Sequence, residues 1–463
     1  FYKWFRRTKI LQMLLVRRFI MTHNPLESTF TTSKLLKFAL PNLIMMVFLS
    51  LYTIIDGIFI SRYVGTLALS SVNMSYPITS FELAVAIMLG TGGSAVIAKT
   101  LGEGDKKTAR EDFTCIVFVS IVISLLFTLF GIIFLDEILT FLGTSEAQFA
   151  YCKTYSTILL IFAPALFLQC VFQVLFVTAG KPMLGLISTV IGGLANMVLD
   201  YVFMGYMGMG VEGAAIATVI SYFIPAITGI IFFIFNRNGS LFFVPFKFKI
   251  KMLAKVCSNG SSEMVTNLAT SITTLLFNIL FMRFWQEDGV AAITIVMYLQ
   301  FVFSAAYMGF SIGVAPIISY KYGAMNTAEL KQIIKDCIRF IIFSSIFSYI
   351  ISMIIIKPAL SIFTNVDSRV YLIALEGFPI YAISFLLMGI SIFASAMFTA
   401  FSNGIVSAII SFGRTFIFLV LGLLILPEIL NSIGIWIAVP FAESLGIIVS
   451  IFYLIWGRKK YSY

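Results

Sequence analysis

The chain has 463 residues, of which 60% are hydrophobic and only 11% charged, and its mean hydropathy is +1.02. A soluble domain carries roughly a quarter charged residues, so the composition excludes an ordinary water-soluble protein and implies that lipid covers much of the surface. The net charge of +10 does not point to nucleic acid, because the basic residues sit in short loops between apolar runs, as topology signals at an anionic membrane face do.

The chain opens on Lys3, Arg6, Arg7, Lys9, Arg17 and Arg18 around an apolar stretch, 10–16, that is too short to cross a bilayer and has no small-residue cleavage site. Residues 1–34 therefore read as a cytoplasmic tail, with Met21 a candidate translation start. Twelve runs long enough to span as helices follow: 35–60, 67–98, 113–135, 155–179, 184–206 and 211–235, then 264–285, 290–320, 338–356, 372–399, 404–426 and 433–456. They are too long for strands and lack period-two alternation. The expected fold class is an all-α membrane protein of twelve transmembrane helices in two pseudo-symmetric six-helix lobes.

Charge bias agrees with an even number of spans. One set of loops holds Lys106, Lys107, Arg110, Lys181, Lys247, Lys249, Lys331, Lys335 and Arg458, among others. The opposite loops hold only Arg62, Lys153, Arg283, Lys357 and Arg369. Positive residues stay on the cytoplasmic side, so both termini are expected there. The longest interior polar stretch divides the chain into an N-lobe at 35–236, a cytoplasmic linker at 237–262 and a C-lobe at 263–463. The two lobes repeat. Gly92, Gly102 and Asp105 pair with Gly313, Gly323 and Asn326 at one constant spacing, which also pairs Thr178 with Thr399 and Gly213 with Gly434. Such repeats mark transporters that bind substrate between the halves near mid-membrane.

Five scattered cysteines, Cys115, Cys152, Cys170, Cys257 and Cys337, form no CxxC pair and read as small buried hydrophobes. The single histidine, His23, argues against histidine catalysis or a histidine-ligated metal. Gly90-Thr-Gly-Gly is not followed by Gly-Lys-Ser/Thr, so there is no phosphate-binding loop and energy must come from a gradient rather than ATP. No polar cluster at one membrane face suggests an embedded enzyme, and an internal repeat with deep carboxylates argues against a receptor.

The first helix reads Pro41-Asn-Leu, then Leu51-Tyr-Thr-Ile-Ile-Asp56-Gly and Val64-Gly65. Further on come Gly90-Thr-Gly-Gly, Leu101-Gly-Glu-Gly-Asp105, Asn196-Met-Val-Leu-Asp200 and Gly210-Val-Glu-Gly213. This ordered set, over 41–456, resembles the MATE (multidrug and toxic compound extrusion) family, especially its MepA-like bacterial branch. The resemblance implies a V-shaped exporter of organic cations in the bacterial plasma membrane, driven by entry of H⁺ or Na⁺ and needing no cofactor beyond that ion. A lipid-linked oligosaccharide or lipid flippase of the same superfamily is the alternative.

By the resemblance, Asp56, Gln173, Asn196, Asp200 and Thr218 fall where the family builds its N-lobe cation site, with Na⁺ possible at Asp56, Asn196 and Asp200. The physics is consistent with that. A charge deep in the bilayer is costly and usually serves a purpose, and Asn196 and Asp200 are four apart on one helical face. A buried carboxyl favours its protonated form, whereas a nearby cation favours the ionised one. One carboxylate can then hold either the coupling ion or the drug, and that mutual exclusion is antiport. In the C-lobe, Asn278 stands near the place of Asp56, and Arg414 with Glu443 is expected to form a structural ion pair between neighbouring helices. Pro41, which opens the helix carrying Asp56, is the expected site of helix bending. Abundant Phe and Met suit a pocket for flat lipophilic cations. One pseudo-symmetric chain suffices for transport, so a monomer is expected.

Overall fold

The computed structural model describes residues 25–463. Most of the expected tail, with Met21 and His23, lies outside the described residues. Among the described residues the regular elements are all helices: α1 (Thr32–Tyr63), α2 (Thr66–Gly102), α3 (Lys106–Ile133), the short α4 (Leu135–Phe141), α5 (Glu146–Ile161), α6 (Ala163–Thr178), α7 (Pro182–Asp200) and α8 (Gly210–Phe235). After a non-helical connection come α9 (Ile250–Gly323), α10 (Thr327–Phe363), α11 (Arg369–Ala382), α12 (Ser384–Ala400), α13 (Gly404–Phe412), α14 (Phe418–Leu430) and α15 (Ser432–Tyr461).

These helices make twelve spans. α5 and α6 form one span bent by 57° and α11 and α12 another bent by 49°. Pro164 stands in the first turn of α6, where its missing N–H forgoes no helical hydrogen bond. α13 and α14 form one span through a π-turn, Gly413–Ile417, and a second π-turn, Tyr201–Tyr206, extends α7. The 74-residue α9 is too long for any bilayer, and it breaks at Gln286 (φ 56°, ψ −146°) into two spans. Leucines, isoleucines and phenylalanines such as Leu129, Phe343, Ile354 and Phe452 stand more than half exposed on the outside of the bundle, the surface that lipid covers.

The helices run further than the apolar runs that announce them. α3 begins at Lys106, capped by Asp105, whose carboxylate accepts from the Thr108 amide at 3.0 Å. α9 begins at Ile250, well inside the expected linker, so Lys251 and Lys255 lie on helix. Small residues let that first stretch pack closely, with Gly260 against the Met88 carbonyl of α2.

The repeat is visible in detail. Asp105 and Asn326 cap α3 and α10 with nearly the same backbone angles, φ/ψ −86°/75° and −85°/75°. The turns at the opposite end repeat as well: Gly65 matches Gln286 and Gly210 matches Asn431, all four at positive φ. One core cluster collects Phe113, Phe167, Phe172 and Phe233 from the first half, and a larger one collects Phe281, Phe310, Phe378, Phe385 and Phe398 from the second. The lobes meet at the end that carries the basic loops. There Gly102 on α2 lies against the Tyr320 carbonyl of α9, and Gly323 on α9 lies against the Lys99 carbonyl of α2.

Candidate cation site

Three helices build the site, and two glycines set their spacing. A Cβ on Gly193 of α7 would stand 2.5 Å from the Phe48 ring and 3.4 Å from the Tyr52 ring of α1. A Cβ on the adjacent Gly192 would stand 2.8 Å from the Ser221 carbonyl of α8. Only a residue without a side chain lets α7 lie this close to α1 and α8 together. One and two turns further on, Asn196 and Asp200 are then carried between the same two helices.

Asp200 is 0% exposed, Asn196 1% and Thr218 8%, while Asp56 on α1 is half-buried. The carboxyl groups of Asp56 and Asp200 stand close enough to feel each other's charge. Oδ1 of Asp56, both carboxyl oxygens of Asp200 and both amide atoms of Asn196 are buried with no hydrogen-bond partner in the protein. Buried polar atoms are normally satisfied, and each unsatisfied one costs about 1–3 kcal/mol. Two facing carboxylates also repel each other in a low dielectric. A proton, a small cation or the charged end of an organic cation placed between them removes both penalties. The π-turn Tyr201–Tyr206 begins at the residue after Asp200, where a local break in helix geometry commonly marks function.

Gln173 is not joined to the carboxyl pair. Its Nε2 donates to Oγ1 of Thr189 at 3.1 Å, and Thr189 lies two turns before Asn196 on α7, about 10 Å away along the axis. Thr218 enters the site beside the Tyr155 hydroxyl. Tyr155, Tyr52 and Tyr222 lie close enough to Asp56 to feel its charge. Sequence reasoning missed these tyrosines, which are hidden among 19 in the chain. The available signal was helical spacing: Tyr52 is one turn before Asp56, and Tyr222 one turn after Thr218.

Pro41 does not open its helix. α1 starts nine residues earlier, with the Thr31 side chain capping the Lys34 amide, and runs through Pro41 unbroken. Beside it, Asn42 Nδ2 donates to the Gly309 carbonyl of α9 at 2.7 Å, so this part of α1 is held by the other lobe. In the C-lobe, Arg414 Nη1 donates to Glu443 Oε1 at 2.7 Å with both side chains largely buried, and Glu443 Oε2 has no partner. Glu263 lies near Arg414 and, with Thr91, Ser94, Val174, Ile312 and Thr399, lines a narrow cavity between the lobes. Glu82 of α2 is buried apart from both clusters, its Oε1 unpartnered.

A family model, MatE, matches the chain twice, over residues 41–202 and 263–424. The multidrug export protein MepA of Staphylococcus aureus (strain MRSA252) is 24% identical over 420 residues, covering 89% of this chain and 90% of that protein. MepA of Staphylococcus haemolyticus is 24% identical over 414 residues, covering 86% and 87%. Among solved structures, an outward-facing conformation of a multidrug resistance MATE family transporter superposes with a TM-score of 0.88 at 22% identity, covering 94% of this chain and 97% of that one. A MATE protein in its straight conformation gives 0.87 at 22% identity over the same shares. The two matched stretches are the two halves of the repeat, and the chain belongs to the MatE family of multi-pass membrane transporters.

Proposed function

We propose that this protein is a secondary active multidrug exporter that exchanges lipophilic organic cations for H⁺ or Na⁺ by alternating access between its two lobes. The observation that carries this reading is the facing pair Asp56–Asp200, which together with Asn196 holds five buried, unpartnered polar atoms. The pair accepts one cation at a time. A coupling ion neutralises it and removes the attraction for the drug, and a bound drug occupies the same oxygens. Oxygen donors from Asp56, Asn196 and Asp200 suit Na⁺ as well as a proton. Tyr52, Tyr155 and Tyr222 supply ring faces for the apolar, cationic body of a drug.

The MepA relatives export multiple drugs in bacteria, which favours the same substrate class and the bacterial plasma membrane here. The basic loops favour cytoplasmic termini, so the closed end of the two lobes faces the cytoplasm. One chain contains both lobes and the space between them, so the transport unit is a monomer. A flippase would hold an anionic lipid phosphate with basic residues, and an acidic pair does the opposite.

The test is ethidium transport in vesicles carrying purified wild type or Asp200→Asn, with a pH gradient and a Na⁺ gradient imposed separately. Transport under one gradient, lost in the variant, identifies the ion and places coupling at this pair. Wild-type rates in the variant would remove Asp200 from the mechanism. A well-folded wild type that moves no dye under either gradient would sink the exporter reading and direct attention to lipid scrambling.

A further inference from the structure

The segment just before α1 is bound to both lobes at their closed end. Pro25–Glu27 forms a single 3₁₀ turn. Leu26 is fully buried, and it joins the C-lobe core with Phe30, Leu330, Ile333 and Ile334. The Phe30 amide donates to Glu329 Oε1 at 2.8 Å, and Thr32 Oγ1 donates to Asp336 Oδ2 at 2.8 Å, both acceptors on α10.

Lys321, at the end of α9, is only 3% exposed. Its ammonium group pairs with Glu329 Oε2 at 2.9 Å, donates to the Ser28 carbonyl at 2.9 Å and the Glu27 carbonyl at 3.5 Å, and lies 5.8 Å from the centre of the Phe30 ring. A buried ammonium must find such partners, so the segment completes the coordination of a C-lobe charge. In the other direction, the Glu27 carboxylate reaches Lys106 at 3.1 Å, on the first residue of α3 in the N-lobe.

We propose that residues 25–32 form a latch, seated in the C-lobe around Lys321 and Glu329 and hooked by Glu27 onto Lys106 of the N-lobe, that holds the basic end of the transporter shut. The proposal rests on alternating access between the lobes, and it adds a part that is neither the cation site nor the helix packing. To open this end, α2 must move away from the end of α9, which carries Lys106 away from Glu27. The seat in the C-lobe is buried and joins apolar packing to a buried ion pair and hydrogen bonds, whereas the Glu27–Lys106 pair is half-exposed. The hook is the weaker link and releases first. The same segment leads directly into α1, whose first turns also pack on the C-lobe and whose later turns carry Asp56. The state of the latch and the state of the cation site are therefore joined by one continuous helix.

The measurement is the distance between spin labels on the exposed positions Lys107→Cys (N-lobe) and Lys331→Cys (C-lobe), in full-length protein with Cys257→Ser; the other native cysteines are buried. Wild type should give mainly the short distance. Glu27→Gln, and separately Phe30→Ala, should raise the long-distance population two- to fivefold. The exchanged pair Glu27→Lys with Lys106→Glu should return it to within twofold of wild type, while Glu27→Lys alone should not. Distributions in Glu27→Gln and Phe30→Ala that match wild type, or an exchanged pair no better than Glu27→Lys alone, overturn the latch. Melting curves confirm that each variant is folded before its distances are read. No substrate is added, so a protein that fails every dye assay still reports on the latch, and a protein that exports dye with unchanged distances counts against it.

Discussion

Asp56 and Asp200 bring their carboxyl groups close enough to feel each other's charge in one lobe, and Oδ1 of Asp56, both carboxyl oxygens of Asp200 and both amide atoms of Asn196 are buried with no partner in the protein. Such a site is costly when empty and stabilised when filled. Filling it should therefore stabilise the fold by linkage: a cationic ligand at ten times its dissociation constant adds about 1.4 kcal/mol. Tetraphenylphosphonium added to purified protein should raise the melting temperature, and the double variant Asp56→Asn/Asp200→Asn should melt at the same temperature with and without it. An equal rise in both proteins would place the organic cation elsewhere.

Gly193 is the contact that lets α7 lie on α1. Gly193→Val should drive a methyl group into the Phe48 ring, destabilise the protein by about 1–3 kcal/mol and push Asp200 away from Asp56. Ethidium transport should fall by more than the lower melting temperature accounts for. Gly193→Val paired with Phe48→Ala, which vacates the space, should recover part of the activity. Unchanged transport in Gly193→Val would show that the site does not depend on this approach.

Arg414 and Glu443 make a buried pair whose members differ in how they respond to loss. Arg414→Met leaves an uncompensated acidic group in the bundle, a change that costs about 3–5 kcal/mol in comparable buried pairs. Arg414→Met with Glu443→Leu removes the charge altogether and should melt close to wild type. A double variant as unstable as the single would mean that packing of the arginine stem, rather than charge, holds α13–α15 together.

Gln286 and Asn431 stand at positive φ with ψ of −146° and −140°, a region suited to glycine, and both occupy turns where the first half has Gly65 and Gly210. Strain of this kind costs about 1–3 kcal/mol, and glycine's greater freedom in the unfolded chain offsets up to ~1 kcal/mol of the relief. Gln286→Gly and Asn431→Gly should each raise the melting temperature slightly. A lowered melting temperature in either would show that its side chain contributes more than the backbone loses.

Gly102 and Gly323 form the reciprocal crossing of α2 and α9 at the closed end. Gly102→Val should collide with the Tyr320 carbonyl and shift the population toward lobes separated at that end by tenfold or more, about 1.4 kcal/mol. The label pair on Lys107 and Lys331 reads this directly. A wild-type distance distribution would mean that the helices slide to accommodate the side chain.

Much of this protein is dictated by its sequence alone. Apolar runs of bilayer length with basic residues gathered in alternate loops allow little besides a helical bundle in a membrane, because lipid offers no partner to an open backbone. The constant spacing of Gly102 and Asp105 to Gly323 and Asn326 already implies two like lobes, and the carboxylates Asp56 and Asp200 stand out because charge is rare in such runs. Helix ends were less legible: Pro41 looks like a starting point, yet Thr31 caps the helix and the chain stays helical across the proline.

What tertiary structure decided is which of the polar residues meet. Asn196 and Asp200 share a helical face by spacing, but only the Gly192–Gly193 approach sets that face against α1 and α8. Gln173 spends its amide on Thr189, and of the tyrosines near the site only Tyr52 and Tyr222 carry a local cue, their helical spacing from Asp56 and Thr218, while Tyr155 carries none. The latch of residues 25–32 likewise reads as a plain polar lead-in until the fold brings Lys321, Glu329 and Lys106 around it. Periodicity and hydropathy are local properties and survive in one dimension. Contacts between distant helices depend on the angles at which those helices cross, and these are set only when all the faces pack together.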